Sequence, residues 1–207
     1  MIALPTLERF VRRAEHARAQ RAGTNCELCG AKMSEQHRHV VDKTARRLLC
    51  ACTACVIAFD GDVPGRFRTV PDRRRVKRDA SIDATVLDAL AVPVGLAFFF
   101  RSSTLARWVA VFPSVAGPTE AELPDEAWAA LEARSALARE LPSDIEALLV
   151  RRTRDGKCAG YIVPVDECYE LIALLRRHWR GIDGGDDARR VIAEVFVHLD
   201  ERCGGVA

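Results

Sequence analysis

Residues 26–55 read CELCGAKMSEQHRHVVDKTARRLLCACTAC and hold five of the chain's eight cysteines. Two Cys-x-x-Cys knuckles, Cys26/Cys29 and Cys52/Cys55, stand 22 residues apart, close to the spacing at which paired knuckles close one tetrahedral metal site. Thiolate sulfur is a soft ligand that suits zinc or iron. Each knuckle offers two sulfurs to one ion while its backbone N–H groups offset their negative charge. Cys26, Cys29, Cys52 and Cys55 are therefore the expected ligands and zinc the expected cofactor, with iron or an iron–sulfur cluster as the alternative. A closed four-thiolate zinc site has no position left for a substrate, so no catalytic residue is assigned and the expected role is scaffold.

Three further residues bear on the ligand set. If Cys50 and Cys52 lie in one extended segment they share a strand face, so Cys50, His39 or His37 could replace one of the four. Segments 37–41 and 47–50 read as short strands around a turn at 42–44. A module this small buries little of its own surface, and metal binding would supply folding free energy on the order of 10 kcal/mol. A rubredoxin-type iron site also uses two knuckles, but only Cys29 is followed by glycine here, whereas Cys55 precedes Val56. The knuckle, the His-Arg-His triplet and the second knuckle also resemble the treble clef of HNH nucleases. In that family a histidine after the first knuckle activates water, and a later Asn and His complete the metal site. No Asn lies between His39 and Cys52, and no His follows Cys55 until His178, so most of the catalytic set is missing.

Outward from this stretch, the totals are those of an ordinary folded protein: 49% hydrophobic and 29% charged residues over 207 positions. That length suits a small module joined to a larger domain. A formal net charge of +2 gives no global field to drive the chain onto nucleic acid or an anionic membrane. The first twenty residues turn charged too early for a secretory signal. The apolar run 87–100 is broken by Asp88, Pro93 and Gly95 and is too short to span a bilayer. The expected address is the cytoplasm, where clustered cysteines favour a metal over disulfides.

The organisation expected is an N-terminal helix in residues 1–24, the cysteine-rich module over 25–65, a basic linker with a short helix over 66–90, and an α+β domain over 91–207. In the first segment Leu7, Phe10, Val11 and Ala14 recur at helical spacing among arginines, with Gly23 as the stop. Residues 66–70 alternate like a strand, and Arg73, Arg74, Arg75, Lys77 and Arg78 form the densest positive run. A nucleic-acid footprint would interleave aromatics with such charge for stacking, and only Phe67 is near, so nucleic acid is not an expected partner. Ser81 or Asp83 would cap a helix to Leu90.

Beyond it, segments 94–100 and 107–112 read as an antiparallel hairpin, 113–123 as a loop and 124–140 as a helix. Segments 145–153 and 160–163 form a second hairpin, and helices follow over 166–180 and 187–201. That order predicts an antiparallel sheet with helices on one face, so the fold class is α+β with a small zinc-ribbon or treble-clef-like module in front. Phe98 and Phe100 would lie on one sheet face and Phe99 on the other, burying both faces or leaving one for a partner. Cys168 sits on an apolar helix stripe and is expected in the core.

The motifs CELCG, HRHVVD, LLCACTAC, VPDRRR, VPVGLAFFFRSS, FPSVAGPTE, VPVDECYELI and HWRG, in that order over residues 25–185, resemble an uncharacterised actinobacterial family. It is known only as a domain of unknown function, with genes that tend to sit beside those of NiFe-hydrogenases. The resemblance implies a cytoplasmic accessory protein in assembly, maturation or partner docking of a hydrogenase system, with hydrogenase subunits or maturation factors as protein partners. An iron-thiolate redox carrier for a hydrogenase is the alternative, and a nucleic-acid-binding or degenerate HNH-like protein the second.

Overall fold

The computed structural model describes residues 25–61, 65–72, 76–89, 95–114, 116–122, 124–181 and 184–204. The helix expected in residues 1–24 and Arg73 to Arg75 of the basic run lie outside the described residues. The chain divides into two compact units, one ending at Thr69 and the other beginning at Val70.

The first unit is built on a hairpin of β1 (Arg38–Asp42) and β2 (Arg47–Ala51), followed directly by helix α1 (Thr53–Ala58). β3 (Phe67–Thr69) pairs antiparallel with the other side of β1, giving the order β2-β1-β3. The strand expected over 66–70 is thus present, but it belongs to the sheet of the cysteine module and not to the linker. Two bonds tie it to α1: the Thr69 N–H donates to the Phe59 carbonyl at 3.1 Å and the Thr69 hydroxyl to that of Val56 at 2.8 Å. At the hairpin turn the buried Asp42 carboxylate receives Arg66 Nε at 2.9 Å and Nη2 at 2.6 Å. This two-point clamp outweighs burial and holds the Asp42 carboxyl below its ordinary value.

The second unit carries a six-stranded antiparallel sheet in the order β4-β9-β8-β5-β6-β7. Its strands are β4 (Lys77–Asp79), β5 (Leu96–Ser102), β6 (Arg107–Ser114), β7 (Gly117–Ala121), β8 (Glu146–Arg152) and β9 (Cys158–Pro164). The helices are α2 (Ala84–Ala89), α3 (Asp125–Arg134), α4 (Ala136–Arg139), α5 (Val165–His178) and α6 (Gly185–Gly204). Both hairpins expected from the sequence are present, joined through β5 and β8 at the centre of the sheet.

Helices cover both faces of this sheet, and the expectation of a single helical face is overturned. Phe99 faces Trp128 of α3, with ring centres 5.4 Å apart, and shares a core with Ala97, Trp108, Ala110, Phe112, Leu148 and Leu131. Phe98, on the opposite face, meets Tyr169 of α5 at 5.2 Å, and Tyr161 meets Phe196 of α6 at 5.5 Å. All three consecutive phenylalanines are buried, which removes the reading of one face as a free partner surface. The reason is visible in the composition of β5: Leu-Ala-Phe-Phe-Phe is a continuous apolar run, the pattern of a strand covered on both sides.

Three further expectations are corrected. The loop over 113–123 contains β7, because Pro113 and Pro118 face each other in register at the sheet edge, where missing N–H donors cost least. Gly117, at φ 113°, makes the turn between the two strands. The helix over 124–140 is two helices broken at Ser135, whose backbone is extended and whose hydroxyl oxygen caps α4 by accepting the Ala138 N–H at 2.9 Å. The Ser135 hydroxyl in turn donates to the buried Asp79 carboxylate of β4. β4 itself was not expected inside the basic run. Its Arg78 is drawn into the sheet by pairing opposite Tyr161, by an ion pair to Asp200 at 3.0 Å and by lying over the Tyr161 ring. That charge serves the fold, which weakens the run further as a nucleic-acid surface. Ser81 bonds back to Asp79 and leaves Asp83 as the residue preceding α2.

Tyr161 gives this unit an alkaline limit. Its side chain is fully buried and its hydroxyl donates to Asp200. Burial first, and the Asp200 carboxylate second, push its ionisation well above the ordinary value of about 10. The folded state therefore holds this proton more tightly than the unfolded chain, and the associated stability is lost as the pH rises above about 10. In urea unfolding at pH 8, wild type should exceed Tyr161→Phe by about 1 kcal/mol for the lost hydrogen bond. At pH 11 the gap should close or reverse; a gap unchanged between the two pH values would contradict this account.

Among the described residues, no helix is long and apolar enough to cross a membrane.

Candidate metal centre

The first knuckle is a tight turn closed by its own backbone. Cys26 N–H donates to Ala31 O at 2.7 Å and Gly30 N–H to Cys26 O at 2.8 Å, and Asn25 Nδ2 reaches Gly30 O at 3.0 Å. Gly30 sits at φ 78°, a left-handed conformation that strains any residue with a Cβ. Glu27 then fastens this turn to the outer edge of β2. Its N–H donates to Cys50 O at 2.9 Å, and its carboxylate accepts the Cys50 N–H at 2.8 Å. Glu27 is a positioning residue that the sequence reading missed; its only signal was a carboxylate placed between two ligand cysteines.

The second knuckle has a different construction. β2 ends at Ala51, and Cys52 is the residue that caps α1, with extended backbone at φ −72° and ψ 162°. Cys55 follows one turn later in the helix. The module's core of Cys26, Val40, Ala51 and Val56 packs beneath, with Leu28, Met33, Phe59 and Phe67 at its margin.

These elements bring all four expected ligands together: the sulfurs of Cys26, Cys29, Cys52 and Cys55 lie within 4.8 Å of one another. Cys29 and Cys52 are 3.6 Å apart. A tetrahedral ion with sulfurs at 2.3 Å sets each sulfur–sulfur edge at about 3.8 Å, so the donor set fits such an ion with small side-chain rotations. The electrostatics argue the same way. Burial opposes ionisation of Cys26, but the backbone N–H groups of Cys52, Cys29 and Leu28 outweigh it and bring the thiol down to about 6. Burial and then the neighbouring sulfurs of Cys29, Cys26 and Cys52 push Cys55 up to about 12. At Cys29 the Ala31 N–H favours the thiolate, yet the Cys52 and Cys26 sulfurs prevail and the value rises. Without a cation the cluster favours the thiolate at Cys26 and opposes it at Cys29 and Cys55; a dication would supply the missing countercharge.

His37, His39 and Cys50 do not join this cluster. They form a group of their own, with one ligand atom from each within 4.8 Å of the other two. The expectation that Cys50 and Cys52 share a strand face fails because the strand stops between them, and the helix start redirects Cys52. Of the remaining cysteines, Cys168 is fully buried in α5, as expected for a core residue. Cys158 opens β9 and Cys203 lies in α6.

A family model of unknown function, DUF5947, matches residues 25–203. The chain belongs to this family. The match begins one residue before Cys26 and takes in both knuckles, the six-stranded sheet and all but the last residue of α6. The four-cysteine cluster and the larger unit both fall within the matched region. No match was found among curated proteins or among solved structures.

Proposed function

We propose that this DUF5947 protein is a non-catalytic accessory protein in which zinc at Cys26, Cys29, Cys52 and Cys55 holds a small platform for docking a protein partner. The observation that carries this reading is the convergence of four sulfurs from two knuckles. Four thiolates complete a tetrahedron, so a zinc ion there supplies folding energy and offers no position to a substrate. The order of knuckle, hairpin and helix, with the second cysteine pair at the helix start, favours the treble-clef form of the module over the ribbon. A cytoplasmic partner from a NiFe-hydrogenase assembly or maturation system rests on the sequence resemblance alone.

Elemental analysis of protein expressed without added metal tests the metal. Tightly held zinc, in a colourless protein, should be lost from both Cys26→Ser and Cys52→Ser. Wild-type protein free of metal would overturn the proposal. Iron with visible thiolate absorption would transfer it to the redox-carrier reading, since iron accepts the same four sulfurs.

A further inference from the structure

We infer that His37, His39 and Cys50 form a second metal site, separate from the four-sulfur centre, for a zinc-class divalent cation. The β1–β2 register puts His39 directly opposite Cys50, and His37, just before β1 begins, sets its ring beside that of His39. Val40 and Ala51, on the alternate face, pack into the core beneath the knuckles. The two clusters thus occupy opposite faces of one ribbon, which keeps Cys50 away from the first ion.

The backbone reinforces this arrangement. Both the N–H and the carbonyl of Cys50 are engaged by Glu27 on the outer edge of β2. The His39–Cys50 pair is therefore a non-hydrogen-bonded one, the kind in which the Cα atoms approach to about 4.5 Å and the side chains lie closest. His37 Nδ1 lies 3.2 Å from the Ser34 carbonyl and 3.1 Å from that of Glu35. A carbonyl can only accept, so Nδ1 carries the proton and Nε2 keeps its lone pair for a metal. This is the outer-shell contact that ordinarily orients a ligand histidine.

The His37 and His39 ring centres are 5.2 Å apart at 62°. Two imidazoles bound to one ion at about 2.0–2.1 Å, meeting near the tetrahedral angle, hold their ring centres on the order of 5 Å apart. One thiolate and two imidazoles suit zinc and its neighbours in softness. The three residues are each half-buried. With three protein ligands the fourth position is open to water or an incoming ligand, a property that the four-thiolate centre lacks.

Native mass spectrometry of the full chain titrated with zinc sulfate tests the site. Wild type should take up two ions, and Cys50→Ser and the His37→Ala/His39→Ala double variant one each. Cobalt titration of the variants should still develop the visible four-thiolate absorption, which reports that the first centre and its fold survive. A wild type that binds a single ion, or a Cys50→Ser protein that binds two, overturns the proposal. Where a variant loses the cobalt absorption, Cys50 alkylation in wild type decides instead. Zinc should slow modification of Cys50 by iodoacetamide at least tenfold, because a coordinated thiolate is no longer a free nucleophile. An unchanged rate sinks the second site without touching the first, and a Cys26→Ser protein that loses no zinc while Cys50 stays protected does the reverse.

Discussion

Removing the metal is expected to abolish ordered structure in the cysteine module while the six-stranded sheet stays folded. Among the described residues, buried apolar side chains in the module are few: Cys26, Val40, Ala51 and Val56 make its core, Val41 and Leu49 are buried as well, and Cys26 is itself a candidate ligand. Burying side chains of this size contributes about 1.5–3 kcal/mol for each valine and less for alanine. That is small beside the conformational entropy of ordering some forty residues at roughly 1–2 kcal/mol each. A structural zinc supplies on the order of 10–16 kcal/mol, enough to decide the balance. Hydrogen exchange after chelation should show protection lost at Val40, Val41 and Leu49 and kept at Phe98, Phe99 and Leu148. Cys26→Ser should reproduce the chelated pattern. Retained protection in β1 and β2 of the metal-free protein would show that the module folds by its own packing.

The second large effect belongs to Phe99. This side chain is fully buried on the central strand. It meets Trp128 edge-on at 5.4 Å and Phe112 at 6.5 Å, and Trp128 stacks in turn on Trp108 at 4.9 Å. Phe99→Ala opens a cavity inside this aromatic group, and deletions of that kind cost about 3–5 kcal/mol. Against a total stability of roughly 5–15 kcal/mol, most of the margin goes. Phe99→Leu, which keeps much of the volume, should cost distinctly less. Urea unfolding is the measurement, read as a lower midpoint with an unchanged slope. A loss below about 1 kcal/mol for Phe99→Ala would mean that the site collapses around the change or that the aromatic packing is not as described.

Local signals were legible where chemistry or turn geometry acts over a few residues. The two knuckles, the β1–β2 turn, the hairpins of the larger unit and helices α5 and α6 all depend on neighbours in sequence. What escaped was pairing at a distance. β4 hides in a basic run because an edge strand needs only one buried side chain of its three, Asp79, and nothing near Arg78 in sequence announces Tyr161 or Asp200. β7 hides behind Pro118, because proline reads as a strand breaker until an edge position makes its missing N–H harmless. The break at Ser135 depends on Asp79, 56 residues earlier in the chain.

The same division runs through the metal chemistry. The sequence by itself determined that Cys26, Cys29, Cys52 and Cys55 are candidate ligands, since a Cys-x-x-Cys turn presents two sulfurs to one point whatever surrounds it. It also marked Cys50, His39 and His37 as alternate ligands near the knuckles. Only the tertiary structure decided where Cys50 goes. Strand register and the end of β2 are set by hydrogen bonds to β1 and to Glu27, across 11 residues in one case and 23 in the other. Those bonds turn Cys52 toward the first knuckle and leave Cys50 facing the histidines, because a strand that stops one residue sooner or later sends its next side chain to the other side.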